Sequence, residues 1–329
     1  YQVAVARPVS ARHHDAQLSF TAHYAAEMAR QQMLERYGMA AYNDGFHVYT
    51  TIGSDLQKVA REAVINGLFT YDKRHGYRGP ERRLPVAEDA EDRWLETLRD
   101  TSVIAGLRPA VVTAVQEESV ALIFADGSRG ELAWENGIRQ ARPYRTENYM
   151  GAAPKTVDEV LAVGDMIRVT QTEEQAWQLT QVPAAQAALV SLNPDNGAII
   201  SIVGGMGFEL SKFNRATQAQ RQPGSSFKPF VYSAALDAGF TAASIINDAP
   251  VVLEDASLED IWRPENDGGR FHGPTRLRWA LTKSRNLVSI RLLQQMGVTR
   301  LIDYIGGLGF DTSDFTPDLS LALGTQAMS

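Results

Sequence analysis

The chain has 329 residues, 44% hydrophobic and 22% charged, with a formal net charge of -7 and a pI near 5.5. That length leaves room for two domains with sizeable cores, and the acidic balance argues against nucleic acid as a main partner. Cysteine is absent, which excludes disulfides; no apolar run approaches the roughly 18–20 residues that span a bilayer, and the start from Tyr1 has no signal-peptide pattern, so any membrane anchor is expected outside this chain.

From Phe20 to Tyr37 the spacing predicts a helix stopped by Gly38, with Ala25, Met28, Ala29 and Met33 on one side. A turn at Asn43-Asp44-Gly45 follows, and the β-branched and aromatic stretch Phe46–Ile52 predicts a strand. Ser54 or Asp55 can cap a helix through Leu56, Val59, Ala63 and Leu68. The basic stretch from Lys73 to Arg83, interleaved by Tyr77, reads as a solvated loop, and Asp89–Arg99 as a helix around Trp94, Leu95 and Leu98.

Composition then shifts to β from Ala110 to Thr180. Val120, Leu122 and Phe124 alternate with small residues up to an Asp126-Gly127 hairpin turn, and further strands are expected at Glu131–Trp134, Val163–Val169 and Ala176–Leu179. Short strands at this density predict a small barrel of the oligomer-binding type. It reads equally as a spacer and as a docking surface for a partner protein. Ala188–Leu192, a turn at Asn193–Gly197 and Ala198–Val203 then form a strand–turn–strand unit.

Pro223-Gly224 marks a turn, after which Phe227, Phe230, Val231, Ala234 and Ala238 recur near helical spacing until Gly239. A helix is expected to begin at Ser225 or Ser226, with Pro229 in its first turn, where a missing amide hydrogen costs nothing. Ser225 and Lys228, three apart, share a face of that turn. A serine hydroxyl needs a neighbour to take its proton. A lysine can do so only if burial or positive potential brings it down from about 10.4. A chain this long carries about one Ser-x-x-Lys by chance, so on spacing alone the pair reads more readily as a helix cap beside a solvated lysine. Further on, Ser284-Arg285-Asn286 lies between a short helical run at Leu277–Leu281 and a helix from Leu287 to Met296. That junction sets a hydroxyl and an amide at one loop tip, able to relay a proton and to hold a carbonyl or orient a lysine. The six histidines are scattered; neither a metal nor a cofactor is expected.

Taken together, Arg221–Pro229, Trp262-Arg263-Pro264-Glu265-Asn266 and Lys283-Ser284-Arg285-Asn286 resemble the class A, bifunctional, high-molecular-mass penicillin-binding proteins, whose motif set includes Ser-x-x-Lys and Ser-x-Asn. Val48–Ile52 and Tyr71–Gly79 look like the stretch leading into the transpeptidase domain of that family. The resemblance implies an α/β (α+β) transpeptidase fold, an antiparallel sheet flanked by helices, with an inserted OB-like barrel. It implies a connector over residues 1–105, the barrel over 106–182 and the transpeptidase domain over 183–329. Lys-Thr-Gly, the third motif of the family, is absent, and Leu319–Thr325 matches a segment that normally precedes it, so the chain is expected to be an internal piece of a longer protein that also holds a glycosyltransferase domain.

The implied activity is a D,D-transpeptidase that cross-links peptidoglycan stem peptides through a serine acyl-enzyme and is acylated by β-lactams, on the periplasmic side of the inner membrane. Ser225 is the implied nucleophile, Lys228 its base, Ser284 a proton relay and Asn286 the group that positions Lys228 or a substrate amide. Trp262 and Asn266 are expected to face substrate, and a regulatory protein is expected at the barrel. The alternatives are a D,D-carboxypeptidase or β-lactamase-type hydrolase, and a non-catalytic β-lactam-binding scaffold.

Overall fold

The computed structural model describes residues 20–87, 89–251 and 262–329. Two compact units divide the chain, Tyr1–Gln218 and Ala219–Ser329.

The first unit opens with α1 (His23–Tyr37), which stops where Gly38 turns to φ +57° and returns its amide to Leu34. Its Ala25, Ala29 and Met33 are half-buried and line a groove of about 420 Å³ with Phe46, Val48 and Ile52. The short α2 (Ala40–Asn43) follows. The strand expected over Phe46–Ile52 does not form. The segment meets the chain at Ile199 and Ile200, through the Thr51 hydroxyl (2.6 Å) and the Gly53 amide (3.0 Å), and joins no ladder. β-Branched residues favour extended backbone, but only a partner strand makes it sheet.

The next helix, α3 (Ser54–Lys73), buries Ala60, Val64, Ile65 and Leu68, while Leu56 and Val59 are exposed. Beyond it the basic stretch is solvent-exposed at Lys73, Arg74, Arg82 and Arg83, as expected, but it is tied to the fold rather than a free loop. Arg78 clasps the buried Asp72 at 2.7 Å and donates to the Val182 carbonyl, and β1 (Arg82–Arg83) enters a sheet. Helix α4 (Ala90–Arg99) comes next, then β2 (Arg108–Val115), β3 (Ser119–Ile123), β4 (Arg129–Ala133), the small hairpin β5 (Tyr144–Thr146) and β6 (Tyr149–Met150), then β7 (Asp165–Gln171) and β8 (Trp177–Thr180).

Six of these strands form one antiparallel sheet in the order β1-β7-β2-β3-β4, with β8 also on β7. Both faces of β2 are covered. Ala110 and Val112 point into a core with Val120, Leu122, Leu132, Ile167 and Val169; Val111, of opposite parity, meets Trp94 and Leu98 of α4. That is why residues 110–112 read as an unbroken apolar run. The far strands meet at Gly130, where an added Cβ would lie 2.6 Å from the Trp177 indole nitrogen. Glycine is what lets β4 and β8 approach closely enough to curl the sheet toward a barrel.

The unit ends in the antiparallel pair β9 (Leu189–Leu192) and β10 (Ile199–Val203), against which α3 packs through Leu189, Val203 and Met206. Gln57 of α3, buried, exchanges hydrogen bonds of 2.9 Å with both the amide and the carbonyl of Ile202, standing in for a neighbouring strand. Among the described residues no helix is long and apolar enough to cross a membrane.

The second unit is mainly helical. A 3-10 turn at Gly224–Phe227 runs into α5 (Lys228–Asp237); β11 (Ile245–Asp248) pairs antiparallel with β12 (Gly273–Arg276); α6 (Leu277–Thr282), α7 (Asn286–Met296) and α8 (Val298–Gly307) follow. The core is made by Val231, Ala234 and Ala235 of α5 with Leu287, Ile290 and Leu293 of α7, closed by Leu301, Ile305, Leu321 and Ala322. Of the loop expected over Asp255–Pro274, residues 255–261 lie outside the described residues.

Candidate active site

The α-helix expected from Ser225 or Ser226 begins at Lys228. Pro229 has no amide hydrogen to give the Ser225 carbonyl, so the Lys228 amide takes that acceptor and the first turn winds as 3-10. This tight turn leaves the Ser225 side chain exposed and drives Phe227 and Lys228 inward, each 1% exposed. The Ser225 amide makes no backbone hydrogen bond among the described residues and remains available to an incoming oxygen.

The turn is held from behind. Gly224 donates to the Gly324 carbonyl at 3.1 Å, and Arg221 and Met328 exchange two hydrogen bonds of 3.0 Å. Gly324 itself sits at φ +68°, and an added Cβ would collide with the Gly224 carbonyl oxygen. Residues 319–328 thus form the wall on which the serine turn rests.

At the end of its buried stem the Lys228 Nζ donates to three oxygens: the Ser284 carbonyl (2.7 Å), the Ser284 hydroxyl (3.0 Å) and Asn286 Oδ1 (2.6 Å). Burial pushes this amine down to about 8. Ser284 adopts φ +51°, a left-handed conformation that costs a residue with a Cβ about 1 kcal/mol or more. In that pose both its carbonyl and its hydroxyl point at one nitrogen.

Asn286 is fixed by what surrounds it. Its Nδ2 donates to the Glu265 carbonyl at 2.8 Å, which leaves Oδ1 for the lysine, and its backbone amide donates to Asn266 Oδ1 at 2.9 Å. Asn266 is 4% exposed. Its Oδ1 also accepts from Leu287, and its Nδ2 donates to Asp248 (2.7 Å) and to the Arg270 carbonyl (2.9 Å). Asp248, with no side-chain exposure, holds His272 Nδ1 at 3.0 Å and lies 4.0 Å from Arg285, whose guanidinium also donates to His272 Nε2 at 2.9 Å.

The structure therefore brings Lys228, Ser284 and Asn286 into one hydrogen-bonded cluster and puts Ser225 on the adjoining turn, its hydroxyl making no hydrogen bond to the Lys228 amine among the described residues. Asn266, expected to face substrate, faces inward with its amide fully occupied. Trp262 is half-buried against the core of the second unit. Asp248, His272 and Arg285 were not marked by any motif; the only signal was the position of Arg285 between Ser284 and Asn286.

A family profile described as the penicillin-binding protein OB-like domain matches residues 77–185, and one described as the penicillin-binding protein transpeptidase domain matches residues 187–322. Penicillin-binding protein 1A of Pseudomonas aeruginosa is 50% identical over 329 residues, all of this chain and 40% of its own length. The chain belongs to the penicillin-binding protein family. Penicillin-binding protein 1A of Escherichia coli is 44% identical over 98% of this chain and 38% of its own length. The crystal structure of penicillin-binding protein 1A from Haemophilus influenzae superposes with a TM-score of 0.86 at 36% identity, covering 100% of this chain and 47% of that one. The chain thus spans well under two thirds of the length of these relatives. The fold is the penicillin-binding transpeptidase fold with an OB-like domain.

Proposed function

We propose that this penicillin-binding protein segment carries the acyl-transfer step of peptidoglycan cross-linking. The observation that carries the reading is the buried Lys228 amine, held by Ser284 and Asn286 one turn from an exposed serine hydroxyl. As an ammonium, Lys228 uses all three hydrogens on its three oxygens. As an amine it has two, which suit the two carbonyl-type acceptors, Ser284 O and Asn286 Oδ1. The lone pair then faces the Ser284 hydroxyl, which becomes the donor. An amine titrating near 8 is about a quarter neutral at pH 7.5, against about 0.1% for an ordinary lysine.

In this reading Ser225 Oγ attacks the carbonyl between two terminal D-alanines of a stem peptide. Its proton passes to the Ser284 oxygen as the Ser284 hydroxyl gives its own proton to Lys228; the C–N bond breaks, and Ser284 hands a proton to the departing amine while Lys228 returns one to Ser284. The amine of a second stem peptide then attacks the ester, releases Ser225 and forms the cross-link. The free Ser225 amide is one donor to the oxyanion. A β-lactam is attacked in the same way and leaves an opened acyl group on Ser225. Cross-linking of this kind places the work on the periplasmic side of the inner membrane. We divide the chain functionally into a connector (1–105), a barrel (106–182) and the transpeptidase part (183–329). For the barrel we propose a docking role for a regulatory protein, supported by its enclosing an apolar core of its own.

Intact mass after incubation with a penicillin tests the assignment, in the chain extended to the length of its relatives. A gain of one opened drug molecule, lost in Ser225→Ala, is expected; an adduct that survives Ser225→Ala refutes Ser225 as nucleophile.

A further inference from the structure

The residues that touch Lys228 are themselves aimed by a buried layer behind them. Helix α7 begins without a cap of its own: Arg285, the residue before it, offers no side-chain acceptor to the first amides. The acceptor comes from a distant loop. Asn266 Oδ1 takes the amides of Asn286 (2.9 Å) and Leu287 (3.3 Å), the work of an N-cap carried out across the fold. The adjacent Glu265 carbonyl takes the Asn286 side-chain amide. Two neighbouring residues therefore fix both the backbone and the side chain of Asn286.

An asparagine can sit either way round, and here the choice is imposed. Asp248 only accepts, so the Asn266 nitrogen must face it and the oxygen must face the helix. Asp248 is in turn anchored by His272 and approached by Arg285, the middle residue of Ser284-Arg285-Asn286. The chain of contacts runs from a buried carboxylate through Asn266 to Asn286 and ends 2.6 Å from the Lys228 nitrogen.

We propose that Asn266, oriented by Asp248, is a positioning residue for the acyl-transfer reaction: it sets the direction of Asn286 and through it the place of the Lys228 amine. This rests on the reading of Ser225 and Lys228 given above. A group that touches no substrate but aims the base acts on the chemical step and leaves binding alone.

The test separates those two quantities, in the chain extended to the length of its relatives, with a fluorescent penicillin as probe. Stopped-flow labelling gives the saturating acylation rate and the concentration for half-saturation. Asn266→Asp sets two acceptors against each other and should lower the saturating rate about 10- to 100-fold, with half-saturation moved less than about threefold. The paired exchange Asn266→Asp with Asp248→Asn restores a donor facing an acceptor and should recover at least about tenfold of the loss. A single variant within about twofold of wild type, or a folded double variant no faster than the single one, overturns the proposal. Should the single variant not fold, the double variant decides alone, a rate within about tenfold of wild type supporting the proposal and a larger loss overturning it. Wild-type protein that takes no label refutes the nucleophile assignment instead, so the two failures are distinct.

Discussion

Burial brings the Lys228 amine down to about 8, and two consequences can be measured at that one residue. If the neutral amine takes the Ser225 proton, acylation by a penicillin rises about tenfold per pH unit below 8 and levels above it. A rate that stays flat from pH 6 to 9 contradicts a lysine base. The second consequence is for stability. The unfolded chain holds the Lys228 proton up to about 10.4 while the folded chain releases it near 8, so stability is gained as pH rises through that window. The desolvation cost, about 3 kcal/mol, is fully present below 8 and gone above the unfolded value. The difference in urea stability between wild type and Lys228→Met should therefore shift by about 2–3 kcal/mol toward wild type from pH 7.5 to 10; a constant difference shows that the lysine keeps its proton. The residues of this cluster were legible in the sequence, because Ser225, Lys228, Ser284 and Asn286 are spaced as a known motif pair. Asp248 and His272 were not, since what joins them to Asn286 is a pairing of distant strands and no local pattern records it.

At the scale of elements, the serine turn depends on a wall it does not contain. Gly324 approaches Gly224 in a backbone conformation open mainly to glycine, and a methyl group there meets the Gly224 carbonyl. Gly324→Ala pays for both the left-handed backbone and the collision, together about 2–3 kcal/mol, and it displaces the amide that would hold the oxyanion. A fall in thermal midpoint together with at least a tenfold slower acylation is expected. Acylation at the wild-type rate would show that residues 319–328 do not support the nucleophile. The sequence located the elements here better than their boundaries. The turn and the helix after Pro223 were readable, yet the α-helix starts at Lys228, because only the geometry decides which carbonyl the missing Pro229 hydrogen leaves free. At Phe46–Ile52 local preference alone missed the structure, since a ladder needs a neighbour that composition does not supply.

Over the whole molecule, the compositional shift near Ala110 and the alternation of Val120, Leu122 and Phe124 marked the barrel in advance, and the motif pair marked the helical unit. The compact division falls elsewhere, after Gln218, because β9 and β10 take their packing from α3. Each unit encloses its own apolar clusters: Val112, Leu122 and Val169 in the first, Val231, Leu287 and Leu293 in the second. A unit with its own core tends to melt as its own cooperative transition, and a ligand stabilises only the transition of the state it binds. Acylation of Ser225 by a penicillin should therefore raise one of two calorimetric transitions and leave the other within about 1 °C. Tryptophans identify which is which. Trp94, Trp134 and Trp177 report on the first unit, Trp262 and Trp279 on the second. With Trp262 and Trp279 replaced by Phe, fluorescence should follow only the transition that the drug does not move. A single transition that shifts as a whole would mean that the two cores unfold together, and the barrel would then be part of what stabilises the serine turn.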